Sequence, residues 1–220
     1  MKKLKLDLGC GQHKQSGYVG IDRLLLDGVD VVCDINQGIP FADDSTEGVM
    51  ASHVLEHVED LIATMEEIYR VCKHKAVVCI LAPYAHTSLN IANPFHRFQF
   101  NEHTPRFFTA STDVLIEAEQ YEFPFITQWG LGRTENPNMK MDFRCIRMEL
   151  FYFPRYVALP KEEQTKLRQT QMNVADQIMY HLVAVKQSIT HTELSSLANS
   201  PLDIPSFASY RRAYEKLHFN

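Results

Sequence analysis

The stretch Lys3–Leu8 running into Gly9-Cys10-Gly11 limits what this chain can fold into more than any other feature of its sequence. A short apolar run that ends in glycine-x-glycine reads as a strand entering a tight turn, where the backbone can come close to another molecule. Seven of the nine glycines lie at or before Gly48, and none falls between Val49 and Trp129, so the demand for tight loops is concentrated at the start. Two more apolar runs follow, Tyr18–Asp22 and Val29–Asp34, each ending in an acid. Only 11 residues separate Gly11 from Asp22, against about 20 in the dinucleotide-binding pattern. That leaves little room for a full helix between the first two strands, so the first crossovers are trimmed.

The remaining pattern extends this into an α/β fold. Gly48–Ser52 reads as a fourth strand. Glu59–Cys72 carries apolar residues at Leu61, Ile62, Met65, Ile68, Tyr69 and Cys72, a helical period. Ala76–Leu81 is continuously apolar, as in a strand covered on both faces. Strands alternating with helices predict a mainly parallel sheet. Further on, Ser111–Glu119 reads as a helix capped by Ser111 or Thr112, Lys161–Asn173 as a charged helix, and Asp142–Phe153 and Ile178–Lys186 as strands. A short helix is expected at Phe207–Leu217, where Arg211-Arg212 reads as a solvated face. These elements divide the chain into one domain over 1–187 and a tail, 188–220, packed on it.

Composition narrows the function. With 220 residues, 45% of them hydrophobic, the chain can bury a full core. The net charge of −5 argues against binding a nucleic-acid backbone, which needs a basic footprint. The longest apolar run, Ala76–Ala82, falls far short of the roughly 20 residues that cross a bilayer. Three lysines precede Asp7 and Gly9 with no apolar stretch between, unlike a signal peptide. Five widely spaced cysteines (Cys10, Cys33, Cys72, Cys79 and Cys145) read as buried thiols of a cytoplasmic protein.

With LDLGCG, GID, CDI and SHVLEHV in this order, the sequence resembles the class I S-adenosylmethionine (SAM)-dependent methyltransferases. It looks closest to small, type 11-like members often found in bacterial sugar and capsule gene clusters. The resemblance covers about residues 3–125 and implies a Rossmann-like, seven-stranded, mainly parallel sheet whose last strand pair is antiparallel, with a helical tail after it. It implies SAM as cofactor, held by Asp7, Gly9, Cys10, Gly11, Asp22, Asp34, Ile35, Ser52 and His53. Of these, Gly9 and Gly11 would shape the loop beside the methionine end, and Asp22 would accept from both ribose hydroxyls. Asp34 would meet the adenine amino group, with Ile35 against the ring, and Ser52 and His53 would line the methionine pocket. His13 stands where a third glycine is usual. SAM carries no phosphate to be held by a helix N-terminus, so a trimmed crossover suits SAM better than a dinucleotide.

From Pro83 to Thr109 periodicity dissolves into polar, aromatic and histidine-rich sequence, which reads as a substrate lid over 84–109. Loops after strand ends border the ligand in such sheets, and a neutral imidazole can take a proton near pH 7. His96 is the first choice for a general base, His86 the second and His57 the third. His53-Val54-Leu55-Glu56-His57 matches an H-x-x-E-H zinc pattern. Because His53 falls at a strand end and no third ligand stands out, no metal is expected. Asn93-Pro94-Phe95 only superficially resembles the [DN]-P-P-[YF] motif of amide and adenine methyltransferases, since it follows the wrong strand. The expected activity is therefore methyl transfer to an oxygen or amine of a small polar, sugar-related acceptor, and the alternative is a catalytically silent SAM-binding subunit. The expected partner is that small molecule, with neither nucleic acid nor membrane involved, and the sequence is compatible with a homo-oligomer.

Overall fold

The computed structural model describes residues 3–112, 115–116 and 129–219. Its strands are β1 (Lys5–Leu8), β2 (Val19–Asp22), β3 (Val31–Val32), β4 (Thr46–Ser52), β5 (Cys72–Pro83), β6 (Phe143–Tyr152) and β7 (Ala175–Ala184). They form one seven-stranded sheet ordered β3-β2-β1-β4-β5-β7-β6. β1 to β5 pair in parallel, and β7 runs antiparallel to both β5 and β6. This is the Rossmann-like α/β sheet expected from the sequence.

Helix α1 (Leu61–Val71) joins β4 to β5 and shows why the periodicity was readable. Asp60 caps it by accepting from the Ala63 N–H at 2.9 Å. Leu61, Met65, Ile68 and Val71 form a buried stripe against one face of the sheet, where Leu6, Leu8, Val49, Ala51, Val78 and Ile80 point. By contrast, residues 9–18 and 23–30 contain only turns, so the first two crossovers carry no helix. Carboxylates hold these connections instead. Asp7 accepts from the Gln15 N–H at 2.6 Å, and Asp30 accepts from the Gly20 N–H at 2.7 Å while pairing with Lys14 at 2.8 Å. With no helix following, His13 in place of a third glycine disturbs no packing.

The opposite face, bared by the missing helices, is covered from the other end of the chain. After β7 come α6 (His191–Asn199) and α7 (Ser206–Phe219). Ile204 and Ala208 pack on Tyr18, Met50, Cys79, Leu81 and Met179, while Leu194 packs on Ile146 and Val183. The connecting turn is latched at Asp203, which accepts from the Tyr18 hydroxyl at 2.8 Å and pairs with Lys5, while its carbonyl accepts from buried His181 at 2.9 Å.

Several expectations are corrected. The third strand shrinks from 29–34 to two residues, because Asp34 turns its carboxylate onto the Asn36 N–H (3.0 Å) and caps a 3-10 turn, Ile35–Gln37. The helix expected over 161–173 is α5 (Lys161–Thr170), and Asn173 has a left-handed backbone (φ 59°). Short helices α2 (Ser88–Ala92), α3 (Leu131–Glu135) and α4 (Pro154–Val157) were not foreseen. Neither was α6, although Thr190 and Glu193 spell out its capping box. Arg211 is not a solvated side chain. It donates to Asp176 at 2.6 Å, to Glu215 at 2.8 Å and to the Tyr152 carbonyl at 2.5 Å, and lies over the Phe151 ring. Arg212 pairs with Glu149. The helix expected over 111–119 lies largely outside the described residues.

Candidate active site

The carboxyl ends of β1, β2 and β4 open into a cleft with two lobes that meet at Gly9 and His53. The larger, about 590 Å³, is lined by Asp22, Asp34, Ile35, Val58, His57 and Phe95 among others. The smaller, about 270 Å³, is lined by Asp7, Cys10, Ser52 and, from the tail, Pro205 and Phe207. Ligands bind at such strand ends in open α/β sheets, and the volumes suit a small molecule.

The loop between the lobes depends on Gly9. Its φ is +61°, and a Cβ there would sit 2.4 Å from Val54 Cγ2. Gly11 shares the left-handed backbone (φ +52°), but a Cβ would meet nothing within 4 Å. The loop is tied to β2 by Asp22, which accepts from the Gly11 N–H at 3.0 Å through one oxygen and from the Leu24 N–H at 2.9 Å through the other. A carboxylate has about four acceptor sites, so both oxygens keep capacity for ligand hydroxyls. Asp34 takes both Asn36 donors on one oxygen, at 3.0 and 2.8 Å.

Asp7 is buried, which pushes its pKa up to about 6 against the pull of the Gln15 N–H. Burial, with Asp7 and Asp22 nearby, lifts the Cys10 thiol to about 11, so it stays protonated at neutral pH. This donor set fits SAM. The two acceptor-only carboxylates match ribose hydroxyls and an adenine amine, Ile35 and Val58 match the purine face, and Asp7 supplies negative charge for a cationic methionine end. Since no helix follows Gly11, a pyrophosphate would find no helix N-terminus here.

At the edge of the larger lobe three side chains converge that the sequence had scattered. One ligand atom from each of Glu56, His57 and His96 lies within 4.8 Å of the others. The His57 and His96 rings meet edge to face at 4.8 Å. Arg97 donates its backbone N–H to the Glu56 carbonyl at 2.7 Å, which brings the 84–109 segment onto this turn. His53 has a left-handed backbone (φ 54°), and its Nδ1 lies 3.4 Å from Glu56 Oε1. Burial lowers the His96 pKa, favouring the neutral ring.

His86 is elsewhere. It is exposed, packs against Tyr84 and accepts the Asn173 N–H on its carbonyl, outside the residues that line either lobe. The expected lid is pinned at its base. Tyr84 bridges to Phe100, and buried Glu102 pairs with Arg168 of α5 at 2.6 Å. Phe100 and Phe108 belong to the core, whereas Phe95 is 74% exposed at the cleft mouth beside Asn93 and Pro94. Glu56 was read in the H-x-x-E-H pattern but given no role in the site, and Pro205 and Phe207 escaped the sequence reading because nothing local marks them. A further depression of about 610 Å³ at the amino ends of the strands is lined by Arg70, Glu67, Asp43, Asp44 and Lys186. Its charges are already mutually paired.

Residues 21–80 match the family model described as a methyltransferase domain. The ubiquinone/menaquinone biosynthesis C-methyltransferase UbiE of Desulfotalea psychrophila is 35% identical over 74 residues, 34% of this chain. The chain thus spans only 29% of that relative's length. A crystal structure of a SAM-dependent methyltransferase from Archaeoglobus fulgidus superposes with a TM-score of 0.51 at 16% identity, covering 83% of this chain and 86% of the other. At that identity the likeness is one of fold.

Proposed function

Because the chain carries the class I SAM-dependent methyltransferase fold and, over residues 21–80, the methyltransferase domain signature, we propose that it transfers the methyl group of SAM to a hydroxyl of a small polar, sugar-related acceptor. The observation that carries this reading is the cleft itself, with Asp22, Asp34 and the Gly9 loop around one lobe and buried Asp7 beside the other.

When bound, SAM supplies a methyl group on a positively charged sulfur that leaves readily. Asp22 would hold the ribose, Asp34 and Ile35 the adenine, and the lobe lined by Ser52 and Phe207 the methionine end, with Gly9 and His53 between them. The acceptor enters past Phe95, and the Glu56–His57–His96 cluster lies on its route. There the acceptor hydroxyl would give up its proton to the neutral His96 imidazole, leaving the oxygen's electron pair free to attack the methyl carbon in line. Holding both reactants in line is the protein's main contribution. The lid, 84–109, would shield this step from bulk solvent, leaving the cleft open at the mouth beside Phe95.

The partial match to a C-methyltransferase favours a second reading, methylation at a carbon made nucleophilic by a neighbouring deprotonated hydroxyl. Calorimetric titration with SAM, followed by transfer of labelled methyl to hydroxylated sugars, sugar nucleotides and phenols, tests the proposal. One-to-one binding with label on oxygen is the expected result, and label on carbon selects the second reading. Binding with no transfer to any acceptor points to a silent SAM-binding subunit, and no SAM binding overturns the assignment.

A further inference from the structure

We propose that Glu56, His57 and His96 form a site for a divalent transition-metal ion at the acceptor end of the cleft. The hydrogen bonds behind the two imidazoles settle which nitrogen each one offers. His57 Nδ1 lies 3.1 Å from the Phe95 carbonyl oxygen, which can only accept, so Nδ1 carries the proton and Nε2 is the nitrogen left to bind a metal. His96 Nδ1 lies 2.6 Å from Asn90 Oδ1. The amide of buried Asn90 is oriented by its Nδ2, which donates to the Tyr84 carbonyl at 3.2 Å, so its oxygen faces the ring and His96 Nδ1 carries the proton as well. Both rings therefore turn Nε2, not Nδ1, toward the cluster as the nitrogen able to ligate a metal. Backing Nδ1–H with a carbonyl or amide oxygen is how metal-binding histidines are commonly fixed.

Glu56 supplies the second, independent observation. It is 1% exposed, and its Oε2 has no hydrogen-bond partner. A buried carboxylate oxygen without a donor is costly and calls for a missing cation or donor. The other oxygen faces His57 Nε2 at 3.9 Å. In a tetrahedral site with bonds of about 2.1 Å the ligand atoms sit about 3.4 Å apart, so a contraction of at most about 1.4 Å by side-chain rotation closes this cluster. Two imidazoles and one carboxylate suit zinc, iron(II), cobalt(II) or manganese(II), rather than calcium or magnesium, which prefer oxygen. The rigid Asn90 support and the Arg97-to-Glu56 backbone bond set the third ligand opposite the H-x-x-E-H turn.

This inference deepens the methyltransferase reading and rests on it for its role. His57 lines the cleft, so a cation here would meet an acceptor oxygen and lower the pKa of its hydroxyl. With His96 engaged by the ion, the O–H bond breaks with its electron pair on oxygen and its proton passing to water at the open cleft mouth. Acceptors with an oxygen able to bind a metal become the favoured class.

The test is calorimetric titration of the chelator-stripped full chain with Zn²⁺, and with Co²⁺ followed by visible absorption. The expected result is one ion per chain at micromolar affinity or better, with His96→Asn and Glu56→Gln each weakening it at least tenfold and His191→Asn leaving it unchanged. Absence of stoichiometric binding, or equal binding in the His96 and Glu56 variants, overturns the site. SAM titration of the same metal-free proteins is run in parallel, with circular dichroism to confirm folding. Intact SAM binding without metal binding removes the metal site alone, whereas loss of SAM binding in the wild type removes the functional reading beneath it.

Discussion

The amino-terminal and carboxyl-terminal halves of the sheet are stabilised by different means. β1, β2 and β3 have 4, 4 and 2 residues, and their connections are held by glycine conformations and single carboxylates such as Asp22 and Asp30. β5, β7 and β6 have 12, 10 and 10 residues, and form a broad antiparallel ladder. The half that carries the cleft thus has little regular structure of its own, and borrows the tail helices to cover its exposed face. Binding loops are drawn from weakly supported backbone, and a rigid scaffold beside them makes that tolerable.

If this contrast is right, the largest effect belongs to the glycine at the centre of the thin half. Gly9→Ala forces a side chain into a left-handed backbone and against Val54, and is expected to cost about 3–5 kcal/mol of stability and abolish SAM binding. Thermal unfolding and SAM titration would show both, and a near-normal variant would mean that the loop can rearrange. Next, Arg211→Ala should lower stability by about 2 kcal/mol, less than a fully buried pair would lose, because the side chain is partly exposed. A fall in SAM affinity beside the lower melting temperature would show that the tail shapes the cleft as well as the fold. An unchanged affinity would separate the two halves.

Asp22→Ala should weaken SAM binding by about 1.5–3 kcal/mol, the range for hydrogen bonds to a charged group. Calorimetry on the folded variant decides this. Asp7 offers a test with the opposite sign. Its raised pKa means the folded chain keeps this proton to higher pH than the unfolded chain, so its contribution is most favourable below about pH 4 and is lost as the pH rises through about 6. At pH 7 Asp7→Asn should therefore be more stable than the wild type by about 1–2 kcal/mol and bind SAM more weakly, with the stability gain vanishing in acid. Denaturant melts at pH 4 and pH 7 measure it. The smallest effect is expected for Arg212→Ala, at most about 1 kcal/mol, since its partner Glu149 and the guanidinium are both substantially exposed. A loss as large as that of Arg211→Ala would mean that the whole helix face is structural.

Legibility in the sequence follows the same division. Gly9, Asp22 and helix α1 could be read because their signals are local: a glycine at a turn, an acid at a strand end, an apolar stripe with an Asp cap. β3 was overestimated because the apolar spacing of Val29, Val31, Val32 and Cys33 gives no sign that Asp34 leaves the strand to cap the next 3-10 turn. That the tail packs on the domain was expected, but the contacts that dock α7 were not legible, since Asp176 and Tyr152 lie 35 and 59 positions from Arg211 and no periodicity links them. His86 and His96 look alike in sequence. Only the fold sends one toward Tyr84 and the other, 40 positions from Glu56, onto the turn after β4.

The contact of Pro205 and Phe207 with the smaller lobe has a consequence for the order of synthesis. Gly9 and Pro205 are 196 positions apart, so the glycine loop is made well before the wall that closes over it. At the roughly 5–20 residues per second of translation, about ten seconds or more pass between synthesis of the glycine loop and synthesis of that wall. The cleft is therefore complete only after residues past 200 have left the ribosome, and a ligand that needs both walls cannot be held before the tail folds onto the sheet.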